Sequence, residues 1–307
     1  MVERTVEVTP KWPFKLPRML YRDGVMLRRD GVLLRLIHVE DAPVVVRAAQ
    51  PRPDRVILRA DGPTLDACDH ALGRMRFALG VDDDLKPFHD RFAKDPLIGQ
   101  AVRMTPWIRP TRRPEPFEAL AWAITEQLIE YVRAAEIQRR ILRRYGRRCP
   151  TTGLRDLPTA ATIAAEAPVK FQALDLSARR SLALVKAARE VASGRVDLHD
   201  PHHERGWERL RTIPTIGQWT LDILAYLGQG RMDVVPAGDL NLIKLVARLE
   251  TGNPHARSTE EDVRAFFAPY EEWAGLAATY ASSLPSAAGP HRAGTRWSGR
   301  SSDRLAA

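Results

Sequence analysis

The chain of 307 residues contains only two cysteines and no long apolar run. Cys68 and Cys149 are too few for a disulfide framework or for an iron–sulfur site with four cysteine ligands. A membrane-spanning helix needs about 18 or more apolar residues, and no stretch approaches that length. The charged first residues, MVERTVEVTPKW, lack the apolar segment of a signal peptide. We therefore expect a cytoplasmic protein.

Positive charge exceeds negative charge along the chain. The sequence has 47 Lys and Arg residues against 38 Asp and Glu residues, which gives a formal net charge of +9. A basic protein of this kind favours an anionic partner, and nucleic acid is the first candidate. Hydrophobic residues make up 44% of the chain and charged residues 28%, as is typical of a globular protein. The length leaves room for two domains.

The first third of the chain has the patterns of β-strands. Two β-prone runs, 25–29 and 32–39, flank Asp30-Gly31, a dipeptide typical of a β-hairpin turn. Residues 44–46 and 55–59 predict two further strands, and residues 64–80 have the apolar spacing of a helix. These patterns predict an antiparallel β-sheet domain over residues 1–105, in a protein of the α+β class.

Helical patterns occupy residues 106–284. A long helix is expected to begin at Pro116 and to run on through Ile129, with others over 133–145, 160–166 and 174–192. His199, His202 and His203 share one loop, but no second set of ligands accompanies them, so we predict no metal site. Residues 285–307 are rich in Ser, Gly, Ala and Arg without periodicity, and we expect a disordered basic tail.

The most informative stretch is 210–249, LRTIPTIGQWTLDILAYLGQGRMDVVPAGDLNLIKLVARL. Pro214 cannot continue a helix and Gly217 relaxes the backbone, so two helices should meet in a short loop, the second beginning near Gln218. Free N–H groups at the start of that helix, together with its dipole, form a site for a phosphate. Asp239 follows in the turn that precedes another apolar helix.

The motif Ile-Pro-x-Ile-Gly-x-Trp-Thr, then an apolar helix, then Val-Pro-x-Gly-Asp-Leu, resembles the helix-hairpin-helix (HhH-GPD) DNA glycosylases. Within that superfamily the chain is most similar to the branch of DNA-3-methyladenine glycosylase II, over residues 105–283. The resemblance implies an all-α helix-hairpin-helix domain over residues 106–284. It also implies that the partner is double-stranded DNA with a damaged base and that the protein is associated with the nucleoid.

The resemblance assigns the catalytic role to Asp239. Cleavage of the glycosidic bond develops positive charge on the deoxyribose, and a fixed carboxylate stabilises that charge and orients the attacking water. Asp222 and Asp233 are competing carboxylates, but Asp222 is explained by its place near a helix start and Asp233 lacks the match. Family members that also cut the strand have a Lys where this chain has Trp219, so we predict no Schiff base and no lyase activity.

The remaining site residues are also implied by the resemblance. Leu128 would be the wedge that fills the space left by a flipped base, although a Leu on a helix is more often a core residue. The face of Trp219 would attract the cationic ring of an N-alkylated purine. The residues expected to bind the base are Trp219, Gln127, Trp273 and Tyr280. The residues expected to contact DNA are Leu128, Thr215, Ile216, Gly217, Gln218 and Thr220. A monovalent cation at the hairpin carbonyls is implied, and no other cofactor.

Three residues, at two places in the chain, depart from the family pattern. Glu126 stands where the family often has a small residue, and Glu271 and Glu272 stand where Arg is frequent. We predict a monomer that releases alkylated purines of the 3-methyladenine type by hydrolysis and leaves an abasic site. Three alternatives stay open, namely the same fold acting on another lesion such as an oxidised purine, a non-catalytic DNA-binding module, and a helical protein without a role on DNA.

Overall fold

The structure is a computed structural model, and it describes residues 1–17, 22–253 and 255–284. The predicted disordered tail, 285–307, lies outside these residues. The predicted α+β class is confirmed, because an antiparallel sheet comes first and helices follow. Each described helix is too short or too polar to span a bilayer.

Five antiparallel strands form the N-terminal sheet, and they are β1 Val2–Val8, β2 Met26–Arg29, β3 Val32–Val39, β4 Ala42–Arg52 and β5 Arg55–Gly62. Their order across the sheet is β1-β5-β4-β3-β2. Asp30 and Gly31, both at positive φ, form the predicted turn between β2 and β3. The edge strand β1 is absent from the predicted set, because half of its residues are charged or polar and its solvated face hides the strand pattern. A short ribbon, β6 Arg147–Arg148 and β7 Arg155–Asp156, lies beside β3.

The described helices are α1 Leu65–Leu79, α2 Lys86–Phe92, α3 Gly99–Met104, α4 Pro116–Glu126, α5 Tyr131–Tyr145, α6 Ala160–Ala164, α7 Pro168–Gln172, α8 Ala178–Ala192, α9 His203–Arg211, α10 Gln218–Ile223, α11 Leu240–Thr251, α12 Glu260–Phe267 and α13 Ala274–Ser282. α10 continues into a π-helical turn, Leu224–Gly228, and a 3₁₀ turn, Ala268–Trp273, precedes α13. Capping side chains fix several of the starts: Thr64 caps α1, Ser177 caps α8, and Thr259 forms a capping box with Asp262.

Three large apolar cores organise the described residues. The first lies between the sheet and α1. The second, the hairpin core, joins α4, α5, α8 and α10 around Trp122 and Leu224. The third, the C-terminal core, joins α2 and α3 to α11, α12 and α13 around Phe88 and Phe267. Residues 85–102 thus pack with the C-terminal helices rather than with the sheet, and the boundary at residue 105 stays a prediction.

A buried ion network connects the sheet to α4. Arg35 Nη2 on β3 lies 2.6 Å from Glu118 Oε2 and 3.0 Å from Asp156 Oδ1. Arg113 Nη1 lies 2.9 Å from Glu118 Oε1 and 2.5 Å from Asp23 Oδ2. Burial raises the pKa of Glu118 even though both arginines oppose the change. Burial also disfavours the charged form of Arg35, but the carboxylates around it outweigh burial and leave the pKa of Arg35 raised. Each buried group in the network therefore needs its oppositely charged partners to remain ionised.

We expect Arg35→Met to lower the free energy of unfolding by about 3–5 kcal/mol, because Glu118 and Asp156 stay buried after each has lost one of the cations that pair with it. The matched control is Arg59→Met, since Arg59 lies on β5 of the same sheet but its side chain is 48% exposed. That exposed ion pair should contribute less than about 1 kcal/mol. Urea unfolding measures both values, and equal losses in the two variants would contradict the structural role of the network.

Candidate active site

The predicted hairpin lies between α9 and α10. α10 begins at Gln218, with Gly217 as its N-cap. Ile216 is 3% exposed and anchors the loop in the hairpin core, so only its backbone can face DNA. Thr215, Gly217 and Gln218 are exposed, and Thr215 takes a positive φ of 76°. A Cβ built on Gly217 meets no atom within 4 Å, so the outer side of the loop is open to a large ligand.

The free N–H groups of the hairpin lie slightly further along the chain than predicted. Ile216 and Gly217 donate their N–H groups to carbonyls of the same loop at 3.1 Å, so these two are not available to a phosphate. The N–H groups of Gln218 and Trp219 open α10 and have no backbone acceptor in the described chain. The first turn of a helix leaves such groups unpaired and attracts anions. The anion-binding end of the hairpin is therefore the start of α10.

Leu128 projects from the protein just after α4. The predicted extension of this helix through Ile129 is wrong, because α4 ends at Glu126. Leu128 takes a φ of 55° and is 97% exposed. The positive φ costs a residue other than Gly on the order of 1–3 kcal/mol, and an exposed Leu forgoes about 1.5–3 kcal/mol of burial. Core packing cannot explain a conformation that is unfavourable on both counts, and a wedge requires this placement.

Gln127 connects the end of α4 to the hairpin. Its Nε2 donates to Thr215 O and to Thr220 Oγ1, both at 2.8 Å. The resemblance implies that Gln127 binds the base. In the structure its amide instead forms hydrogen bonds with the hairpin. Thr220 is 1% exposed, so its buried hydroxyl serves this bridge rather than a phosphate. The end of α4 and the hairpin are thus held as one unit.

Asp239 is the N-cap of α11. Its Oδ1 accepts hydrogen bonds from Asn241 N at 2.8 Å and Leu242 N at 3.4 Å, and its own N–H donates to Pro236 O at 2.9 Å. These bonds fix the carboxylate at the positive end of a helix of 12 residues. Within the described residues Oδ2 has no hydrogen-bond partner. One oxygen therefore caps the helix while the other is free for a reacting group.

Trp219 lies against the turn that contains Asp239. A Cβ built on Gly238 would stand 3.1 Å from Trp219 Cβ and 2.9 Å from Glu260 Oε1. The lack of a side chain at Gly238 therefore lets the start of α10 approach the Asp239 turn. Trp219 is half-buried, and its Nε1 has no hydrogen-bond partner among the residues described. The sequence from 210 to 239 contains no lysine, so no amine lies beside the carboxylate on this part of the chain.

The two competing carboxylates are paired with arginines. Asp222 is 2% exposed and its Oδ2 lies 3.0 Å from Arg264 Nη2. Burial raises the pKa of Asp222 in spite of this ion pair. Asp233 Oδ2 lies 2.8 Å from Arg231 Nη2, and the hydrogen bonds from Arg231 lower the pKa of Asp233. Asp239 forms no ion pair with an arginine in the described chain, which distinguishes it from both.

Trp273 and Tyr280 belong to the C-terminal core. Tyr280 is fully buried, and its ring stacks on Phe88 with 5.3 Å between the centroids. Burial also raises the pKa of the Tyr280 hydroxyl. A ring without an exposed face cannot stack on a base, so Tyr280 does not enter the candidate site. Trp273 is half-buried, and its ring lies 5.8 Å from that of Phe88.

Glu271 and Glu126, which depart from the family pattern, each have a partner within the protein. Glu271 Oε2 lies 3.1 Å from Arg91 Nη2, and Glu126 Oε1 accepts a hydrogen bond from Gln138 Nε2 at 2.9 Å. Gln138 is 1% exposed, and its Nε2 also donates to Thr125 Oγ1 at 2.9 Å. Gln138 is not among the predicted site residues. A polar residue among the apolar positions 134, 135, 137, 141 and 142 of α5 is the signal that indicates a buried partner.

The hairpin is the place where the resemblance implies a monovalent cation. Its exposed loop offers backbone carbonyls, which are oxygen ligands of the kind that hard cations prefer. Ile213 O accepts one backbone hydrogen bond and keeps a second lone pair for an ion, whereas Thr215 O already accepts two hydrogen bonds, from Gly217 N and Gln127 Nε2. The carbonyls would hold the ion and its charge would attract a phosphate, which stays a prediction. No group of three or more His, Cys, Asp or Glu side chains in the described chain is placed to hold a metal ion.

A family model described as "HhH-GPD superfamily base excision DNA repair protein" matches residues 121–269. The matched segment is thus similar to this superfamily. It includes the end of α4 with Leu128, the hairpin and Asp239, which are the parts that the structure brings together. The predicted resemblance is therefore confirmed.

Two curated relatives are DNA glycosylases. The DNA-3-methyladenine glycosylase of Bacillus subtilis (strain 168) is 25% identical over 205 residues, which are 65% of this chain and 67% of that protein. DNA-3-methyladenine glycosylase 2 of Escherichia coli (strain K12) is 29% identical over 144 residues, 45% of this chain and 49% of that protein. Both relatives are named as DNA glycosylases, and the description of the matching family concerns base excision DNA repair.

Solved structures show the same fold over nearly the whole chain. The 3-methyladenine DNA glycosylase from Archaeoglobus fulgidus is 20% identical and superposes with a TM-score of 0.78, over 90% of this chain and 97% of that one. A structure of MBOgg1 in complex with a low affinity DNA ligand is 18% identical and gives a TM-score of 0.72, over 91% and 94% of the two chains. The N-terminal sheet is therefore part of the shared fold.

We expect Leu128→Gly to leave the melting temperature unchanged or raised, because Gly adopts a φ of 55° without steric strain. Affinity for a duplex with an abasic site should fall about tenfold or more, because the side chain that fills the gap is lost. Val132→Ala is the control, since Val132 is a nearby apolar residue that is 49% exposed. A destabilised Leu128→Gly protein with undiminished DNA affinity would assign Leu128 to structure instead.

Proposed function

We propose that the protein is a monofunctional DNA glycosylase that acts as a monomer on alkylated purines of the 3-methyladenine type in duplex DNA. It flips the damaged nucleotide out of the helix and hydrolyses the N-glycosidic bond. The observation that carries the proposal is the placement of Asp239, a helix-capping carboxylate with one unpaired oxygen, in a turn whose Gly238 packs against Trp219. The two relatives named as DNA-3-methyladenine glycosylases support the choice of base.

Binding and flipping use the unit formed by the hairpin and the end of α4. The free N–H groups of Gln218 and Trp219 hold a phosphate of the damaged strand at the positive end of α10. Leu128 enters the base stack and replaces the stacking of the flipped base, which offsets part of the few kcal/mol that extrusion costs. Because Gln127 bonds the hairpin, the wedge enters at a fixed distance from the held phosphate.

Hydrolysis depends on the fixed charge of Asp239. As the bond between C1′ and the base breaks, positive charge develops on the sugar, and a carboxylate already oriented by backbone N–H groups stabilises it without reorganisation. The free oxygen accepts the proton of the attacking water. An alkylated purine is cationic and leaves as a neutral base, so departure of the base requires no proton.

Trp219 determines both the reaction type and the preferred base. A lyase needs an amine that forms a Schiff base with the sugar, and an indole cannot do so. The electron-rich indole face attracts a cationic ring and gains more from an alkylated purine than from a normal one. The reaction therefore ends at an abasic site with an intact strand.

We expect Asp239→Asn to lower single-turnover release of methylated purines by about 10²–10³-fold, because the stabilising charge is lost. Asn is also a good N-cap, so folding and affinity for an abasic duplex should be retained. Asp233→Asn is the matched control and should release bases at the unaltered rate, since Asp233 is paired with Arg231. Release by the Asp239→Asn protein within a few-fold of the unaltered protein would exclude Asp239 from catalysis.

We expect Gly217→Asp to weaken binding to damaged and undamaged duplexes alike, by about tenfold, because a carboxylate then faces the phosphate. Gly73→Asp makes the same change at a site on α1 where a Cβ also meets no atom within 4 Å. Fluorescence anisotropy at several salt concentrations measures both variants. If both bind DNA equally well, the hairpin is not the phosphate site.

A further inference from the structure

Glu126 lies within the group of residues that the proposed function uses. It is the last residue of α4. The next two residues are Gln127, which donates a hydrogen bond to the hairpin, and Leu128, which projects into solvent. It is partly buried, and the charge of Asp239 acts on its carboxyl group. Glu126 therefore adjoins the residue that joins the end of α4 to the hairpin.

The two oxygens of Glu126 have different surroundings. Oε1 accepts the hydrogen bond from Gln138 Nε2 at 2.9 Å, and this amide is itself fixed by Thr125 Oγ1. Oε2 has no hydrogen-bond partner in the described chain, and the residue keeps partial exposure. An amide that donates to Oε1 is compatible with a proton on Oε2. The orientation thus leaves an O–H group free to donate to a ligand.

Several charges act on this carboxyl group. Glu126 ends α4, where the negative end of the helix dipole disfavours a carboxylate. Burial raises the pKa of Glu126 and outweighs the hydrogen bond from Gln138 and the attraction of Arg113, while the charges of Asp23 and Asp239 raise it further. The protonated form of Glu126 therefore persists at a higher pH than for an ordinary Glu.

We propose that Glu126 is a second catalytic residue, a general acid that donates a proton to a flipped purine which carries no positive charge of its own. This inference rests on the proposed function. It extends that function from cationic alkylated purines to neutral damaged purines, which are poorer leaving groups. Asp239 and Glu126 then divide the work, with the carboxylate acting on the sugar and the acid acting on the base.

Glu126 and Asp239 together supply and accept the protons that the reaction moves. The bond between C1′ and N9 breaks with its electron pair going to the purine, and the Glu126 proton moves to a ring nitrogen of that purine. The base leaves neutral and Glu126 becomes a carboxylate. Water bonds to C1′ and gives a proton to Asp239, and exchange with solvent returns both groups to their starting states. A cationic alkylated purine already leaves neutral, so it bypasses the Glu126 step.

The test is single-turnover base release by the full chain from two duplexes, one with a single hypoxanthine and one with a single 7-methylguanine. Glu126→Gln keeps an oxygen for Gln138 but has no acidic proton. We expect it to lower hypoxanthine release by about 10²-fold and to leave 7-methylguanine release within about threefold of the unaltered protein. Glu130→Gln is the matched control, because it removes a carboxylate from the exposed loop after Leu128. It should change neither rate.

The pH dependence gives a second readout. General acid catalysis needs the protonated form, so hypoxanthine release by the unaltered protein should decline as the pH rises through the raised pKa of Glu126. Release of 7-methylguanine should lack this decline. Glu126→Asp keeps an acid and should restore part of the hypoxanthine activity with a shifted decline, a result that a purely structural role would not produce.

Two outcomes would overturn the inference while the proposed function stands. One is release of 7-methylguanine without any release of hypoxanthine by the unaltered protein. The other is an equal loss of both activities in a folded Glu126→Gln protein, which would assign Glu126 to holding α4 and α5 together. Failure of the unaltered protein to release 7-methylguanine would instead remove the proposed function, and the inference with it.

Discussion

Glu118 is buried near the start of α4 between two arginines, and the geometry of the site depends on this arrangement. A buried charge is tolerated only where its partners are in place, so α4 has one position relative to the sheet. Eight residues further along, the same helix ends at Glu126. Gln127 and Leu128 follow, so the ion network and the hairpin bonds of Gln127 hold the two ends of one rigid element.

The site lies where two apolar cores meet. The hairpin is anchored by Ile216 in one core, and the Asp239 turn is anchored by fully buried Ala237 in the other. Gly238 allows close contact between them because a side chain there would meet Trp219. A surface between two separately packed units can open toward a flipped base while each unit keeps its own core. The candidate site thus lies at the junction of the two cores, and the packing within each core stabilises the fold.

The sequence predicts the parts of this structure that depend on local rules. Proline and glycine mark the hairpin, Asp-Gly marks the turn between β2 and β3, and the helix start after Asp239 follows from capping. It does not predict features set by contacts between distant residues. The exposure of Leu128 follows from the early end of α4, the burial of Tyr280 from its contact with Phe88, and the direction of Glu126 from Gln138 on another helix. Periodicity within one segment contains no information on these pairs.

The central claim is that Asp239 hydrolyses the bond to an alkylated purine with no amine taking part. It is tested most directly by incubating the protein with a methylated duplex and dividing the product into samples with and without hot alkali. We expect release of free 3-methyladenine or 7-methylguanine, with strand breaks only in the alkali-treated sample. Strand breaks in the untreated sample would show lyase chemistry and contradict the role given to Trp219. Tight duplex binding with no base released would contradict the role given to Asp239.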